Sequence, residues 1–436
     1  MATLTADQER LAISRLFHRF GFGPTPQQFE KALAAGFENT KKSFLVKPSA
    51  ADITKDVAPL VVDDIGPRPT PGTFANTEYA IKQRALIKEI TLWWLDQMAT
   101  SEYQLNEKLT WFWHGHWATS IEKLNYALPM HKQNLTFRAN ALGNFTTLSQ
   151  AMYNDGALQY WLDGQENTAK APNENLSREF MELFTLGVGR YTEEDVRALA
   201  KVFTGIQVSR QNGTVTFNPR RHDSSAVNLL GTTKVFSAQE AIELLTSRDD
   251  SSRFVFERLW FRFLSSTEDM PVNLDRSSFA NRDTFSAVNS LVNSSYMYNN
   301  SYVMVKSPIE WFIGVCRAFS IVPSQTKNAQ NMVGLLGKLA QVPFAPPNVG
   351  GWPAGELWLT SASAQFRLTL AQQLMKNISI KELKAVAPAR RTKYLQDLLG
   401  VYQWSPRTAD ALNIAKAEPE RMILLAINSP EYVVGA

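Results

Sequence analysis

Residues 172–191, PNENLSREFMELFTLGVGRY, contain the pattern that decides the fold class of this 436-residue chain. Apolar side chains recur there at three- and four-residue spacing, the period of one face of an α-helix: Leu176, Phe180, Leu183 and Phe184. The polar positions between 173 and 182 carry three Glu, one Arg and no Lys. An ordinary solvated helix mixes Lys with Glu, so this segment predicts a helix with a half-buried polar site beside an apolar stripe.

The same helical period continues along most of the chain. Convincing helices are predicted at 78–99, 102–112, 123–142 and 175–186, among others. Strand signal is scarce: alternating GTVTF at 213–217 and the β-rich 233–236 predict one hairpin closed around 218–231. The predicted fold is mainly α, a single large helical domain with a small β-hairpin insertion and long irregular loops.

Breaks in the helical pattern divide the chain into three parts. Residues 1–46 form an N-terminal helical lobe, and 47–77, rich in Pro, Asp and Gly, form a surface excursion. Residues 78–436 form the main helical domain, which carries the candidate site. One integrated domain is the simplest account of the three.

Composition limits the class of partner. Hydrophobic residues make up 44% of the chain, with 11 Trp, which supports a large packed core. The 45 basic and 41 acidic residues are scattered and give a formal charge of +4, which argues against dedicated nucleic-acid binding. Cys316 is the only cysteine, so no internal disulfide can form.

Targeting signals are weak as well. No run approaches the roughly 20 apolar residues of a transmembrane helix. The first residues lack the basic-then-apolar organisation of a signal peptide. We therefore expect a cytoplasmic protein, with an exported mature form as the alternative.

The segment WFWHGHWATS, 111–120, holds the first candidate site. His114 and His116 are candidate metal ligands, since an H-x-H pair chelates when both rings share a face. If the preceding helix continues, His116 faces inward with the apolar stripe and His114 points roughly opposite. Structural, hydrogen-bonded histidines are the alternative.

The Glu-rich helix is the second candidate site. Its polar side chains suit general acid–base work or ligation of a hard metal. We assign Glu174, Glu182 and Arg178 to catalysis, Asn175 to substrate binding and Glu179 to a metal ion. Glu179 borders the apolar stripe and should be the most buried. An internal Glu–Arg network that locks helices together is the alternative.

Two loops complete the candidates. In FNPRRHDSS, 217–225, His222 and Asp223 suit a metal ligand pair, and Arg221 suits an anionic or polyhydroxylated substrate. In GGWPAGELW, Trp352 suits a sugar-stacking platform, and Arg367 could face the same place. A capped turn and a Trp-filled packing loop are the respective alternatives.

Together and in order, these motifs resemble the bacterial family called domain of unknown function 1800. The similarity covers roughly residues 6–430 and includes RLFHRFGFGPTP, KLTWFWHGHWATS, PNENLSREFMELFTLG, RRHD and PPNVGGWP. The family pattern coincides with His114, His116, Glu174, Asn175, Arg178, Glu179, Glu182, His222 and Asp223. The resemblance implies no established activity. Many members carry an export leader and are encoded beside a sulfatase-like protein, which implies such a partner.

These observations lead to one functional hypothesis and two rivals. The leading hypothesis is a metal-assisted hydrolase in which one divalent ion activates water for attack on a small-molecule or glycan-like substrate. The second enzyme hypothesis is metal-free glycan cleavage by paired carboxylates. The non-enzymatic hypothesis is a binding or assembly factor for a partner protein.

Overall fold

A computed structural model describes residues 4–435 and confirms the mainly α fold class. In chain order the α-helices are α1 Ala6–Arg19, α2 Pro26–Ala35, α3 Phe37–Phe44, α4 Ala50–Asp56, α5 Phe74–Thr100, α6 Gln104–His116, α7 Ile121–Leu124, α8 Ala127–Asn140, α9 Phe145–Tyr153, α10 Gly156–Trp161, α11 Asn175–Glu179, α12 Glu193–Val202, α13 Ala238–Ser247, α14 Asp249–Phe263, α15 Thr284–Val292, α16 Pro308–Ala318, α17 Ala329–Lys338, α18 Ser361–Met375, α19 Lys381–Ala385, α20 Arg391–Leu398, α21 Pro406–Ile414, α22 Pro419–Ile427 and α23 Pro430–Val433. A π-helix, Phe180–Thr185, continues α11 directly. Among residues 4–435, no helix combines the length and the apolar character needed to cross a membrane.

The β insertion contains two hairpins, so its strand pairing differs from the prediction. Strands β1 Ile206–Ser209 and β2 Thr214–Phe217 pair with each other, as do β3 Val227–Leu229 and β4 Thr232–Lys234. The two residues between β3 and β4, Leu230 and Gly231, have φ of 50° and 82°. Such a turn closes a hairpin between immediate neighbours, because its twist matches that of the strands. The longer closure around 218–231 is therefore not used.

Helix α6 lies at the centre of the molecule, between two hydrophobic clusters. Leu109 and Trp113 belong to the first cluster, whereas Trp111 belongs to the second. Every residue of α6 except Gly115 is buried. Two opposite sides of this helix therefore pack against other parts of the protein.

Three predicted helices have different bounds in the structure. The helix predicted at 102–112 continues to His116. The one predicted at 123–142 is divided into α7 and α8 at Asn125, whose φ of 56° ends the first piece. Asn tolerates this left-handed conformation better than most residues. The one predicted at 175–186 changes from α to π geometry at Phe180.

The excursion predicted at 47–77 contains α4 and is anchored at several points. The Asp56 carboxylate accepts from Ser101 Oγ at 2.6 Å and from the Glu102 amide at 2.9 Å. The Trp93 indole donates to the Ala58 carbonyl at 2.8 Å. These bonds hold the excursion against α5 and against the turn that joins α5 to α6.

The N-terminal segment contacts distant parts of the chain. In α1, Arg10 forms an ion pair with Asp397 at 2.7 Å, and Arg15 donates to the Met297 carbonyl at 2.9 Å. A capping box at Thr5 fixes the start of this helix, because its side chain accepts from the Gln8 amide. The first helix is therefore tied to both α20 and the segment after α15.

Candidate functional site

Helix α11 and the π-helix that follows it position the predicted carboxylates. The π geometry is marked by the Leu186 amide, which donates to the Met181 carbonyl five residues earlier at 2.8 Å. Phe180 and Phe184 are fully buried in the first cluster. The segment is thus anchored by its apolar side, and π turns of this kind often occur at functional sites.

Arg178 connects α11 to α12 through two acids. Its guanidinium donates to both carboxylate oxygens of Glu193, at 2.7 and 2.8 Å, and to Glu174 at 3.1 Å. The hydrogen bonds to Glu193 raise the pKa of Arg178 and lower that of Glu193. These side chains are largely solvated, so the network contributes little stability and mainly fixes positions.

Glu179 differs from its neighbours because no group in the described part of the chain pairs with it. It is half-buried and forms no hydrogen bond or ion pair within residues 4–435. Burial and the nearby Glu182 raise its pKa, while Arg178 opposes that shift. A carboxyl group in this setting keeps its proton to higher pH than an ordinary Glu.

Glu182 accepts a short hydrogen bond from the hydroxyl of Tyr191. Burial, followed by this bond, raises the pKa of Tyr191, so the phenol stays protonated and remains a donor. The sequence analysis missed Tyr191 and Glu193. Both residues flank Thr192, the N-cap that begins α12 directly after the Glu-rich segment, and this position is the sequence feature that could have identified them.

The His-Asp loop is held by Thr204 at the end of α12. The Nδ1 atom of His222 lies 3.0 Å from the Thr204 carbonyl, so Nδ1 carries the proton and Nε2 is unprotonated in the neutral ring. The amide of Asp223 donates to the Thr204 hydroxyl at 2.8 Å. Its carboxylate accepts from the Ser225 amide at 2.9 Å, and hydrogen bonding by the Ser225 side chain and then by this amide lowers the pKa of Asp223.

Asn167 joins this loop to the start of the Glu-rich helix. Its side chain donates to the Ala200 carbonyl at 2.8 Å and accepts from the Asn173 amide at 2.9 Å. Its own carbonyl accepts from the Gly205 amide at 3.3 Å. Sequence reasoning missed Asn167, although a buried-loop Asn that bonds to backbone is a known turn device.

Two side chains that are predicted to bind substrate form hydrogen bonds to the loop that contains Asn167. Asn175 Nδ2 donates to the Leu162 carbonyl at 3.2 Å, and Arg221 Nη2 donates to the Gln165 carbonyl at 2.7 Å. The Glu-rich helix and the His-Asp loop are therefore both attached to residues 162–167.

The two histidines of α6 lie elsewhere and on opposite sides of that helix. His116 Nε2 donates to the Phe184 carbonyl at 2.9 Å, whereas His114 Nε2 accepts from the Phe344 amide at 3.2 Å. Burial lowers the pKa of each to about 3. Both rings are thus neutral and occupied by backbone partners, and they do not share one face.

Trp352 is buried beside His114, with ring centroids 5.3 Å apart, and Arg367 is buried beside Trp358. Trp352 is 5% exposed and stacks on Trp111, with ring centroids 4.6 Å apart. Arg367 Nη2 donates to the Trp358 carbonyl at 3.2 Å. Both side chains belong to the packing around the second cluster.

The described part of the chain contains no group of three or more His, Cys, Asp or Glu side chains placed to hold a metal ion. Of the predicted ligands, His222 and Asp223 lie together. His114, His116 and Glu179 lie in three separate environments.

Comparison with known proteins adds a family and no activity. No curated protein and no solved structure matches the chain. One family model, described as protein of unknown function (DUF1800), matches residues 15–434, which is nearly the whole sequence. The chain therefore belongs to the DUF1800 family.

Proposed function

We propose that this protein is a hydrolase that uses the carboxylates of α11 and the π-helix for general acid–base chemistry. The observation that supports it most is Glu179, a half-buried carboxyl group with a raised pKa and with no hydrogen bond or ion pair to residues 4–435. Half-buried acids that belong to structural networks are usually paired. A general acid, in contrast, must retain its proton near neutral pH, which a raised pKa favours.

The two neighbouring glutamates have different surroundings, which suits different roles. Glu179 would donate its proton to the leaving-group oxygen as the bond to carbon breaks. Glu182, whose carboxylate accepts the Tyr191 hydroxyl, would take a proton from the attacking water. Arg178 would position this pair through its bonds to Glu174 and Glu193.

The adjacent loop supports a proposal for the substrate class. Asn175 and Arg221 each use one donor on residues 162–165 and keep further N–H groups. Amide and guanidinium donors at a rigid loop suit hydroxyl or anionic groups. A glycan-like substrate is therefore the class that we would test first.

A panel of chromogenic glycosides, polysaccharides and esters, assayed with and without EDTA, tests this proposal. Glu179→Gln should reduce hydrolysis by about a hundredfold to ten-thousandfold, the usual contribution of general acid–base catalysis. Glu194→Gln is the matched control, because Glu194 is on α12 with 79% of its side chain exposed. Equal rates for Glu179→Gln and the wild type would contradict the proposal, and hydrolysis of no substrate would favour the partner-binding alternative.

One observation favours a metal-assisted version of the reaction as a second candidate. His222 donates through Nδ1 to a backbone carbonyl, which leaves Nε2 free, and this is the usual arrangement of a metal-ligating histidine. Asp223 lies next to it. A divalent ion there would lower the pKa of a bound water.

Metal content separates the two candidates. Mass spectrometry of protein purified without an affinity metal would compare the wild type with His222→Ala. About one equivalent of metal, lost in the variant, would establish a centre at His222, since ligand removal weakens binding strongly. Metal in neither protein would eliminate this second candidate.

A further inference from the structure

A small cleft lies beside α6, away from the Glu-rich site. It is bounded by α14, by the start of α16 and by the loop that carries Trp352, and its volume is about 30 Å³. Its wall includes Lys108, Arg262, Glu310, Gln341, Trp111 and Trp352. None of these polar groups takes part in the acid–base site proposed above.

The cleft holds more positive than negative charge. Lys108 Nζ pairs with one oxygen of Glu310 at 2.5 Å, and the other oxygen accepts from the Ser307 amide at 2.8 Å. Each carboxylate oxygen of Glu310, the one acid among the residues described along this wall, thus already has a hydrogen-bond donor. Arg262 forms one hydrogen bond, to the Trp352 carbonyl at 2.9 Å, and no ion pair among the residues that the structure describes.

The charge state of Arg262 is secure at neutral pH. Burial lowers its pKa to about 10, although Glu310 opposes that shift. One turn earlier on α14, the buried Nε of Arg258 has no acceptor within residues 4–435. Two guanidinium groups that form no ion pair within residues 4–435 therefore lie on consecutive turns of the same helix, and of the two only Arg262 lines the cleft.

Unused hydrogen-bond donors also exceed acceptors in this wall. The indole Nε1 of Trp352 is buried and has no acceptor in the described part of the chain. Gln341 accepts from the Ile309 amide at 2.9 Å through Oε1, which leaves its amide N–H groups for another partner. The amide N–H groups of Gln341 can only donate, so their natural complement is an oxygen acceptor.

We propose that this cleft binds the carboxylate group of a ligand. Arg262 and the Gln341 amide would donate to its oxygens, and the stacked rings of Trp111 and Trp352 would form the wall against the ligand's carbon atoms. The small volume of the cleft suits a compact charged group. The guanidinium fork has the same planar geometry as a carboxylate.

Two sources present this chemistry: a small free acid and a sugar acid at the end of a glycan. Sodium acetate represents the first and sodium glucuronate the second, each titrated at constant ionic strength against chloride and inorganic phosphate. The readout is the nitrogen-15 indole resonance of Trp352, assigned by Trp352→Phe. The indole of Trp404, which donates to the Thr392 carbonyl, provides an internal control.

We expect a saturable shift of the Trp352 resonance with at least one of the two carboxylates and no shift at Trp404. The tighter of acetate and glucuronate identifies the source. Absence of saturation with both would overturn the proposal. Tighter binding of phosphate than of either carboxylate would overturn the ligand class.

Two substitutions with opposite expected signs separate binding from loss of structure. Arg262→Gln should weaken carboxylate binding at least tenfold. Glu310→Gln should strengthen it, because Lys108 loses its competing partner. Arg253→Gln is the control on the same helix, since Arg253 pairs with Glu257 outside the cleft. Weaker binding in Glu310→Gln, measured at a temperature where this variant is folded, or equal binding in Arg262→Gln and Arg253→Gln, would contradict the proposal.

Discussion

Individual histidines in this protein bond to the backbone and do not gather into one polar centre. His18, His114, His116 and His222 each have a backbone partner, supplied by four different parts of the chain. The sequence places all of them in aromatic-rich motifs, which suggests a shared site. Similar sequence motifs do not show which hydrophobic cluster a histidine ring packs into. The two histidines of α6 lie on opposite sides of that helix.

The buried ion pair of Glu107 and Arg138 should be costly to break. Arg138 donates to both oxygens of Glu107, at 2.8 and 3.0 Å, and the Trp94 indole donates to the same carboxylate at 2.7 Å. Glu107→Gln keeps the shape and leaves a buried guanidinium without its counter-charge. We expect a loss of about 3–5 kcal/mol in the free energy of unfolding, measured by urea denaturation.

The control for this prediction is the exposed pair of Glu418 and Arg421, both about 60% exposed. Glu418→Gln should change the free energy of unfolding by less than about 1 kcal/mol, because water screens the interaction. Similar losses in the two variants would contradict the account of burial.

At the scale of elements, the π-helix is the feature that periodicity cannot detect. The apolar spacing of Phe180, Leu183 and Phe184 predicts a helix, and a helix is present. Six residues are too few for this spacing to separate a 3.6-residue turn from a wider one. The wider turn depends on tertiary contacts, such as the bond from His116 to the Phe184 carbonyl.

Thr185 should stabilise the π turn through its hydroxyl. This buried group donates to the Phe180 carbonyl at 2.6 Å. Thr185→Val keeps the volume and removes the donor, so unfolding free energy should fall by about 1–2 kcal/mol. Thr369→Val is the matched control, because its hydroxyl bonds to Gln365 in a solvent-exposed helix turn. Calorimetry showing equal losses would refute a special role for Thr185.

At the scale of the whole molecule, four buried histidines should make the fold sensitive to acid. Burial lowers the pKa of His114 and His116 to about 3 and of His131 to about 4, and that of His18 also falls well below its usual range. The unfolded chain binds these protons near pH 6.5. Their stabilising contribution is therefore complete above that pH and is lost as the pH falls towards 4.

Asp155 acts in the opposite direction, because burial raises its pKa to about 6. Its contribution is complete below pH 4 and is lost as the pH rises through 6. Glu179 and Asp96, whose pKa values burial also raises, act in the same direction as Asp155. The four histidines outnumber these acids, so the net stability should fall from pH 7 to pH 5 by up to roughly 1.4 kcal/mol per pH unit for each histidine. Urea midpoints measured across this range test the sign, and a flat or rising profile would contradict it.

Local signals explain why the sequence predicts the fold class and only part of the arrangement of the candidate site. The start of a helix is specified by residues close together in the sequence, as in the capping box of Thr192 and Asp195. Strand pairing was missed because it depended on the two-residue turn at Leu230 and Gly231. The Glu-rich helix and the His-Asp loop were found by residue type. Their connection through Asn167 required the three-dimensional structure.

The protonation of Glu179 is the most direct test of the proposed acid–base site. Carbon-13 NMR of glutamate-labelled protein, with the Glu179 resonance assigned from Glu179→Gln, would give its pKa. We predict a midpoint above 4.5, which decreases in Glu182→Gln because the neighbouring charge is removed. A midpoint at or below 4.5, unaffected by Glu182→Gln, would contradict the account.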